Sequence, residues 1–287
     1  MEIIPLAADS IGTRSMACLV RTDDATILID PGAALGPKRY NKQPHPKEEA
    51  QLEADLKSIR QAAAEADVLI ISHYHYDHYI PDDASVYEDK ALLIKHPTEN
   101  INKSQQKRAK EFLDLVSDKP KELYYADGKV FTYGKTNVTI SPAVFHGASS
   151  KLGYVVETLV DDGTRRFLHG SDIQGPVHDD QAQFILDNKP HVAYFDGPLS
   201  YMLGFRYSHE NLNSSIENLK RIASLEMLET LIIDHHFLRD KRWKEHLAGV
   251  FETAQQHKTK ILTVAEFLGK ENLMLEAHRN QLWKEGS

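Results

Sequence analysis

Short apolar runs of strand length alternate with helical segments along most of the chain. Two such runs, Met16–Arg21 and Thr26–Asp30, come first, and the Pro31-Gly32 pair ends the second. The segment Lys47–Ala66 is rich in good helix formers, carries apolar residues at helical spacing, and leads directly into Asp67–Ser72. This last run is continuously apolar, which is typical of a strand buried on both faces of a sheet.

The alternation continues toward the carboxyl end. Further strands are predicted at Ala91–Lys95, Val138–Phe145, Gly153–Leu159, Arg166–Leu168, His191–Phe195, Thr230–Ile233 and Lys260–Val264. Further helices are predicted at Asn102–Val116, Gln181–Leu186 and Asn211–Leu225, from His236 onward, and from Ala265 to the end. The sequence contains no close repeat and no low-complexity tract. It predicts a single α/β domain over residues 1–287, with residues 97–120 as a candidate insertion.

The predicted strands repeatedly end in side chains that can bind a metal. Six strand ends carry such a residue: Asp30, His73, His146, Asp172, Asp196 and His235. In open α/β sheets, ligands collect at the carboxyl ends of the strands, where loops bring side chains to one edge. These separated residues therefore predict one shared site.

The strongest local signal is the hexad His73–His78, with the sequence H-Y-H-Y-D-H. In an extended segment, residues two apart face the same way, so His73 and His75 can bind one ion together. Asp77 and His78 follow after a turn and can face a neighbouring position. Imidazole nitrogens and carboxylates are the usual ligands of zinc and also suit iron or manganese. Three His and one Asp directly after a buried strand favour a metal site over a solvated loop.

At these residues the sequence resembles the metallo-β-lactamase superfamily, whose hallmark is H-x-H-x-D-H after a buried strand. The resemblance extends over most of the chain, in the same order and spacing. Its further positions are Asp30 in I-L-I-D-P-G, His146 in V-F-H-G, Asp172 in F-L-H-G-S-D, and His235 or His236 in L-I-I-D-H-H-F. The segments Asp196–Pro198 and Asp234–Asp240 further resemble a largely archaeal branch of the superfamily.

The resemblance implies an α/β fold of four layers, an αβ/βα sandwich, and a site with two divalent metal ions. The implied ligands of the first metal are His73, His75 and His146. The implied ligands of the second are Asp77, His78 and either His235 or His236, which the sequence does not separate. Asp172 bridges the two metals, Asp30 supports the ligands from behind, and Asp77 and Asp172 are the implied catalytic residues.

This site implies hydrolysis by a water that bridges two metal ions and acts as hydroxide near neutral pH. Zinc is the preferred ion, with iron or manganese as alternatives. Lactam-hydrolysing relatives with a cysteine ligand are disfavoured, because Asp172 holds the bridging position and Cys18 lies far from every motif. Oxygen-reducing flavo-diiron relatives have an acid at the position of His75, which disfavours redox chemistry.

Composition and charge limit the kinds of partner that we expect this protein to bind. The formal net charge is −8, which argues against a protein that coats nucleic acid, and only the basic segment around Lys103–Lys110 supports a nucleic-acid partner. The sequence has no long uncharged apolar run typical of a signal peptide or membrane span, so we expect a cytoplasmic enzyme that does not contact a membrane. The sequence does not predict the oligomeric state.

The sequence therefore predicts a dinuclear metal-dependent hydrolase. A phosphodiester or other phosphate ester is slightly favoured as its substrate over a lactone or thioester, and a metal-binding protein without catalysis is the alternative. Among the remaining candidates, Arg239 is either solvated or binds an anionic substrate group, and His169 is either a core residue or a pocket group. Tyr74, Tyr76 and Tyr79 are interpreted as packing around the hexad.

Overall fold

Short, largely apolar strands form two mixed sheets in the computed structural model, which describes residues 1–285. The first sheet contains β1 (Glu2–Pro5), β2 (Cys18–Arg21), β3 (Thr26–Ile29), β4 (Val68–Ile71), β5 (Ala91–Ile94) and β6 (Glu122–Tyr125). The second contains β7 (Val130–Tyr133), β8 (Thr136–Ile140), β11 (Thr158–Asp161), β12 (Arg166–Ser171), β13 (Val192–Asp196), β14 (Thr230–Asp234) and β15 (Lys260–Leu262). A separate two-stranded ribbon pairs β9 (Val144–Phe145) with β10 (Tyr154–Val155).

Each sheet contains four neighbouring parallel strands, whose carboxyl ends lie at the same edge of that sheet. The first sheet runs in the order β1-β2-β3-β4-β5-β6, and its strands from β3 to β6 are parallel. The second runs in the order β15-β14-β13-β12-β11-β8-β7, and its strands from β12 to β15 are parallel. Parallel strands in one sheet end at the same side, so the loops after β3, β4, β12, β13 and β14 can share one site.

Most of the helices cover the outer faces of the two sheets. Their bounds are α1 (Pro46–Glu65), α2 (Lys103–Val116), α3 (Asp179–Asn188), α4 (His209–Ala223), α5 (Trp243–His246), α6 (Ala248–His257), α7 (Val264–Phe267) and α8 (Leu275–Glu285). Short 3-10 turns lie at Asp9–Ile11, Ala84–Tyr87, Ser200–Met202 and His235–Arg239. Among residues 1–285, no helix has the length and apolarity that a membrane crossing requires.

Three apolar clusters define four layers. One lies between the sheets, where Ile27 and Ile70 of the first sheet share a core with Phe167 and Ile232 of the second. Another packs α1 and α2 on the outer face of the first sheet. The third packs α3, α4 and α6 on the outer face of the second. Because strands such as β4 are buried on both faces, they are apolar throughout, and the predicted αβ/βα sandwich is confirmed.

Several predicted boundaries are wrong for identifiable reasons. The run Val138–Phe145 is split into β8 and β9, since Pro142 lies between them and cannot donate a ladder hydrogen bond. The single helix predicted from Ala265 is interrupted after α7, where Gly269 has φ of 68°. Likewise, the segment after His236 contains a 3-10 turn and two separate helices. The strands β1, β6 and β7 are not predicted from the pattern.

Candidate metal centre

The predicted site residues from distant parts of the chain converge at the shared strand edge. Their potential ligand atoms form three groups, each within 4.8 Å: His73, His75, His146 and Asp172; Asp77, His78 and His235; and Asp172, His235 and His236. Every residue predicted for the two metal positions is therefore present in this cluster. The hexad follows β4, His146 follows β9, Asp172 follows β12, and the two C-terminal His follow β14.

Asp172 lies between two sets of imidazoles. Its Oδ2 is 3.1 Å from Nε2 of His146 and 3.7 Å from Nε2 of His73. Its Oδ1 is 3.3 Å from Nε2 of His78 and 3.5 Å from Nε2 of His235. The two oxygens of one buried carboxylate thus face two different groups of nitrogens, which is the arrangement that a carboxylate bridging two ions requires.

The buried polar atoms of the cluster fit metal ions. Among the described residues, both oxygens of Asp172 and the Nε2 atoms of His73 and His78 are buried without a hydrogen-bond partner. The Nε2 of His146 and the Nδ1 of His75 face each other at 3.1 Å. Buried polar groups without partners are costly, and converging ones are satisfied by a shared cation. His and Asp are also the donors that zinc, iron and manganese accept.

Asp30 orients two of these imidazoles from behind. It accepts hydrogen bonds at Oδ2 from Nδ1 of His78 (2.9 Å) and from Oγ of Ser72 (2.7 Å). The Oγ of Ser72 lies 3.0 Å from Nδ1 of His73 and, having donated its proton to Asp30, accepts from that nitrogen. Both imidazoles therefore direct a protonated Nδ1 toward these supports and their Nε2 atoms into the cluster.

Asp9 lies behind His235 as a neighbouring carboxylate, a contact that the sequence does not predict. Its Oδ2 lies 2.9 Å from Nδ1 of His235, and the Nε2 of that ring lies 3.6 Å from Oδ2 of Asp77. Arg239 donates from Nε to Oδ1 of Asp9 at 2.9 Å and is buried. Asp9 lies in a 3-10 turn near the chain start, with no motif around it that indicates this contact.

His236 differs from His235 in its support and its exposure. Its Nδ1 is 2.7 Å from Oδ2 of buried Asp196 and 4.0 Å from Oδ2 of Asp172, and its side chain is 14% exposed. His235 is fully buried and lies opposite Asp77 and His78. The geometry therefore favours His235 over His236 as the third ligand of the second group, and it places His236 at the solvent edge.

Burial and charge shift the pKa values of the cluster in opposite directions. Burial, aided by the neighbouring His146 and Arg108 and opposed by Asp77 and Asp172, lowers the pKa of His75 to about 3. Burial likewise holds the pKa of His73 well below its usual range. Burial alone would lower the pKa of His78, but the carboxylates of Asp172 and Asp30 raise it well above the usual value. Burial thus favours the neutral forms of His73 and His75, whereas the adjacent carboxylates favour the charged form of His78.

Strained backbone accompanies the site. Asp30, Ser171 and His235 all have positive φ, at 50°, 51° and 64°, although none is glycine. Such conformations are costly for residues with a Cβ and concentrate at functional sites. Gly32 is needed for a different reason, because a Cβ there would lie 2.2 Å from the backbone nitrogen of Tyr79. The loop after β3 can approach the hexad only without a side chain at this position.

The remaining candidates take structural roles. His169 is buried, with Nε2 2.9 Å from the carbonyl of Met16, as expected for a core residue. Arg239 is neither solvated nor open to substrate, since its guanidinium is enclosed against Asp9. Tyr74 and Tyr79 are buried in the outer core of the first sheet, whereas Tyr76 is 49% exposed. Packing around the hexad therefore accounts for two of the three tyrosines.

The segment 97–120 forms part of a structural layer. Ala109 and Phe112 of α2 are buried in the cluster that covers the first sheet, so the helix is no insertion over the site.

Comparisons with known proteins identify relatives of this chain. The metallo-β-lactamase superfamily matches residues 12–80. A UPF0282 protein of Korarchaeum cryptofilum is 47% identical over 99% of this chain and 95% of its own. A UPF0282 protein of Methanocaldococcus jannaschii is 46% identical over 98% of this chain and 96% of its own.

Solved structures share the fold at low identity. Yeast PDE1 matches with a TM-score of 0.54 and 14% identity, over 91% of this chain and 96% of its own. An isothiocyanate hydrolase from Delia radicum gut bacteria matches with a TM-score of 0.51 and 14% identity, over 88% of this chain and 94% of its own. CmlA, a diiron β-hydroxylase from Streptomyces venezuelae, matches with a TM-score of 0.51 and 10% identity, over 86% of this chain and 51% of its own.

Proposed function

This chain belongs to the UPF0282 family within the metallo-β-lactamase superfamily, and we propose that it is a metal-dependent hydrolase with a dinuclear centre. The observation that carries the proposal is the position of Asp172. One of its oxygens faces His73 and His146, and the other faces His78 and His235. A single ion would leave one of these two sets unsatisfied.

The ligand sets follow from the groups of converging atoms. His73, His75 and His146 would hold the first ion, and Asp77, His78 and His235 would hold the second, with Asp172 between them. Two divalent ions held here would lower the pKa of bound water and polarise an ester or carbonyl oxygen. Zinc suits this donor set, and iron and manganese are the alternatives; one fold neighbour is a diiron enzyme.

The protein's own groups fix the geometry and limit access. Asp30, Ser72 and Asp9 lie on the Nδ1 side of three imidazoles, whose Nε2 atoms point inward. His73, His78 and His235 are fully buried, whereas His75 and Asp77 are partly exposed. Substrate would therefore approach from the side of His75, Asp77 and His236.

Charge favours an anionic substrate, and we propose a phosphodiester or other phosphate ester. The direct ligands include only two carboxylates, Asp77 and Asp172, beside neutral imidazoles such as His73 and His75. Two divalent ions would bring four positive charges against these two negative ones. The resulting excess of positive charge attracts an anionic ester more strongly than a neutral lactone or thioester.

A direct assay tests the proposal. Full-length protein reconstituted with zinc, manganese or iron would be assayed against bis-p-nitrophenyl phosphate, a simple lactone and a thioester. We expect hydrolysis of the phosphodiester, lost on chelation and restored by metal. Hydrolysis of only the lactone or thioester would overturn the substrate class. Stoichiometric metal without hydrolysis of any of the three would favour a metal-binding protein without catalysis.

A further inference from the structure

Arg108 is a cation close to the open side of the metal cluster. It lies on α2, and its Nε donates to the backbone carbonyl of Tyr74 within the hexad loop, while its Nη1 donates to Oγ of Ser104 at 2.9 Å. Its guanidinium lies 5.5 Å from the centre of the Tyr76 ring. These contacts fix the position of the guanidinium relative to the residues that flank His75.

The guanidinium has no anionic partner in the part of the chain that the structure describes. No carboxylate within residues 1–285 forms an ion pair with Arg108, and its Nη2 has no hydrogen-bond acceptor there. Its neighbours on α2 differ, since Lys107 pairs with Glu111 and Lys110 pairs with Asp114. An ordered, partly buried cation without a counter-charge is suited to bind an external anion.

The part of the hexad loop that Arg108 contacts is accessible to solvent. Tyr76 is the most exposed residue of the hexad, and His75 and Asp77 beside it are partly exposed. Arg108 and Tyr76 thus lie against the exposed part of the hexad loop, next to His75 and Asp77 in sequence.

We propose that Arg108, with Tyr76 beside it, forms an oxyanion-binding subsite for a phosphate or carboxylate group of the substrate other than the group that is cleaved. This inference rests on the proposed hydrolase function for its role in catalysis. The binding of an anion itself does not depend on that function. Guanidinium groups bind phosphate and carboxylate through directed, charge-assisted hydrogen bonds, and the phenol ring of Tyr76 keeps the guanidinium in place through a cation–π contact.

The test compares Arg108→Gln with Lys107→Gln in the full-length protein. Both changes remove one positive charge from neighbouring positions of α2, but the Lys107 side chain is 78% exposed and already paired. Inorganic phosphate and acetate would be titrated separately by calorimetry into metal-loaded and chelator-treated protein. In metal-loaded protein, the measured binding includes anions that bind to the metal ions. In chelator-treated protein, this part of the binding is absent.

We expect Arg108→Gln to weaken the binding of phosphate, acetate or both by about tenfold or more in chelated protein, as for the loss of a charged hydrogen bond. Lys107→Gln should change it less than about twofold. The anion that shows the dependence identifies the phosphate or the carboxylate as the recognised group. Equal binding of both anions by wild type and Arg108→Gln would overturn the proposal.

A purely structural role for Arg108 would give a different pattern of metal and anion binding. Arg108→Lys loses the Nε contact with Tyr74 but keeps the positive charge. Because the charge attracts the anion, this variant should retain most of the anion binding. If Arg108→Lys and Arg108→Gln both lose metal and anion binding equally, Arg108 merely supports the hexad loop, and the subsite is wrong. Should no substrate be hydrolysed by any variant, the proposed function fails, while the anion titrations still decide the subsite.

Discussion

The Oδ2 atom of Asp9 lies 2.9 Å from Nδ1 of His235, which joins the start of the chain to a potential metal ligand near its end. The contact directs the Nδ1 side of the ring toward Asp9 and leaves Nε2 facing Asp77 at 3.6 Å and Asp172 at 3.5 Å. This contact distinguishes His235 from His236, whose Nδ1 faces Asp196.

The two adjacent His residues should respond differently to removal. We expect wild type to bind two ions per chain and His235→Ala to bind about one, since the second group loses a ligand. His236→Ala should still bind about two ions but should hydrolyse substrate more slowly. Elemental analysis of the three proteins measures this. The opposite pattern, with one ion in His236→Ala and two in His235→Ala, would identify His236 as the ligand.

Asp172→Asn should reduce occupancy at both positions together. A neutral amide is a weaker ligand than a carboxylate for divalent ions, and this residue faces both groups. We expect fewer than two ions per chain and a loss of activity of about 100-fold or more. Residues that only hydrogen-bond to metal ligands typically cost about 10- to 100-fold when they are mutated, and a direct ligand should cost at least as much. Asp187→Asn, an exposed change on α3, provides the control. Full activity in Asp172→Asn would exclude the bridging role.

Arg239→Ala should lower the free energy of unfolding and leave anion binding intact. The guanidinium is enclosed against Asp9, and its removal leaves that buried carboxylate with only His235 beside it, which costs up to about 3–5 kcal/mol. Arg242→Ala, on an exposed side chain, should leave stability nearly unchanged. Urea denaturation of both variants gives the comparison. A stable Arg239→Ala protein with a raised KM would instead indicate direct substrate binding.

Asp55 should make stability depend on pH. Burial raises its pKa to about 6, against the hydrogen bonds from Thr13 and Gln51, which lower it. Since the folded pKa lies above the unfolded value of about 3.9, stability is highest below that value and falls as pH rises through 6. Asp55→Asn cannot ionise, so it should be more stable than wild type by about 1–3 kcal/mol at pH 8.

The control for this prediction is Glu53→Gln, a matched removal of one carboxylate on the exposed side of the same helix. Its stability relative to wild type should not change between pH 4 and pH 8 in the way that Asp55→Asn does. Denaturant midpoints across that range provide the measurement. If wild type and Asp55→Asn follow parallel curves, the buried carboxyl group does not titrate as described.

The sequence predicts those parts of the site that follow from local pattern. The hexad comes directly after the buried strand β4, and His146, Asp172 and His235 follow other strands, so topology alone brings them to one edge. The strand and helix pattern predicts an α/β domain, and the resemblance to the superfamily implies its four layers.

Residues that act through tertiary contacts are not predictable in this way. Asp9 is separated from Arg239 by 230 positions, and nothing in its neighbourhood distinguishes it from a surface acid. Arg239 resembles an anion-binding residue until its burial against Asp9 is known. The choice between His235 and His236 as metal ligand depends on the 3-10 turn that begins at His235. The backbone of His235 has φ of 64°, and no local sequence pattern indicates this conformation.

Anomalous scattering from crystals of metal-loaded protein tests the central claim most directly, because it gives the identity of each ion and its ligands. We predict two peaks about 3.5–4 Å apart, the separation usual in two-metal sites. One should lie among His73, His75 and His146, and the other among Asp77, His78 and His235, with Asp172 between them. A single peak, or peaks away from Asp172, would contradict the dinuclear centre.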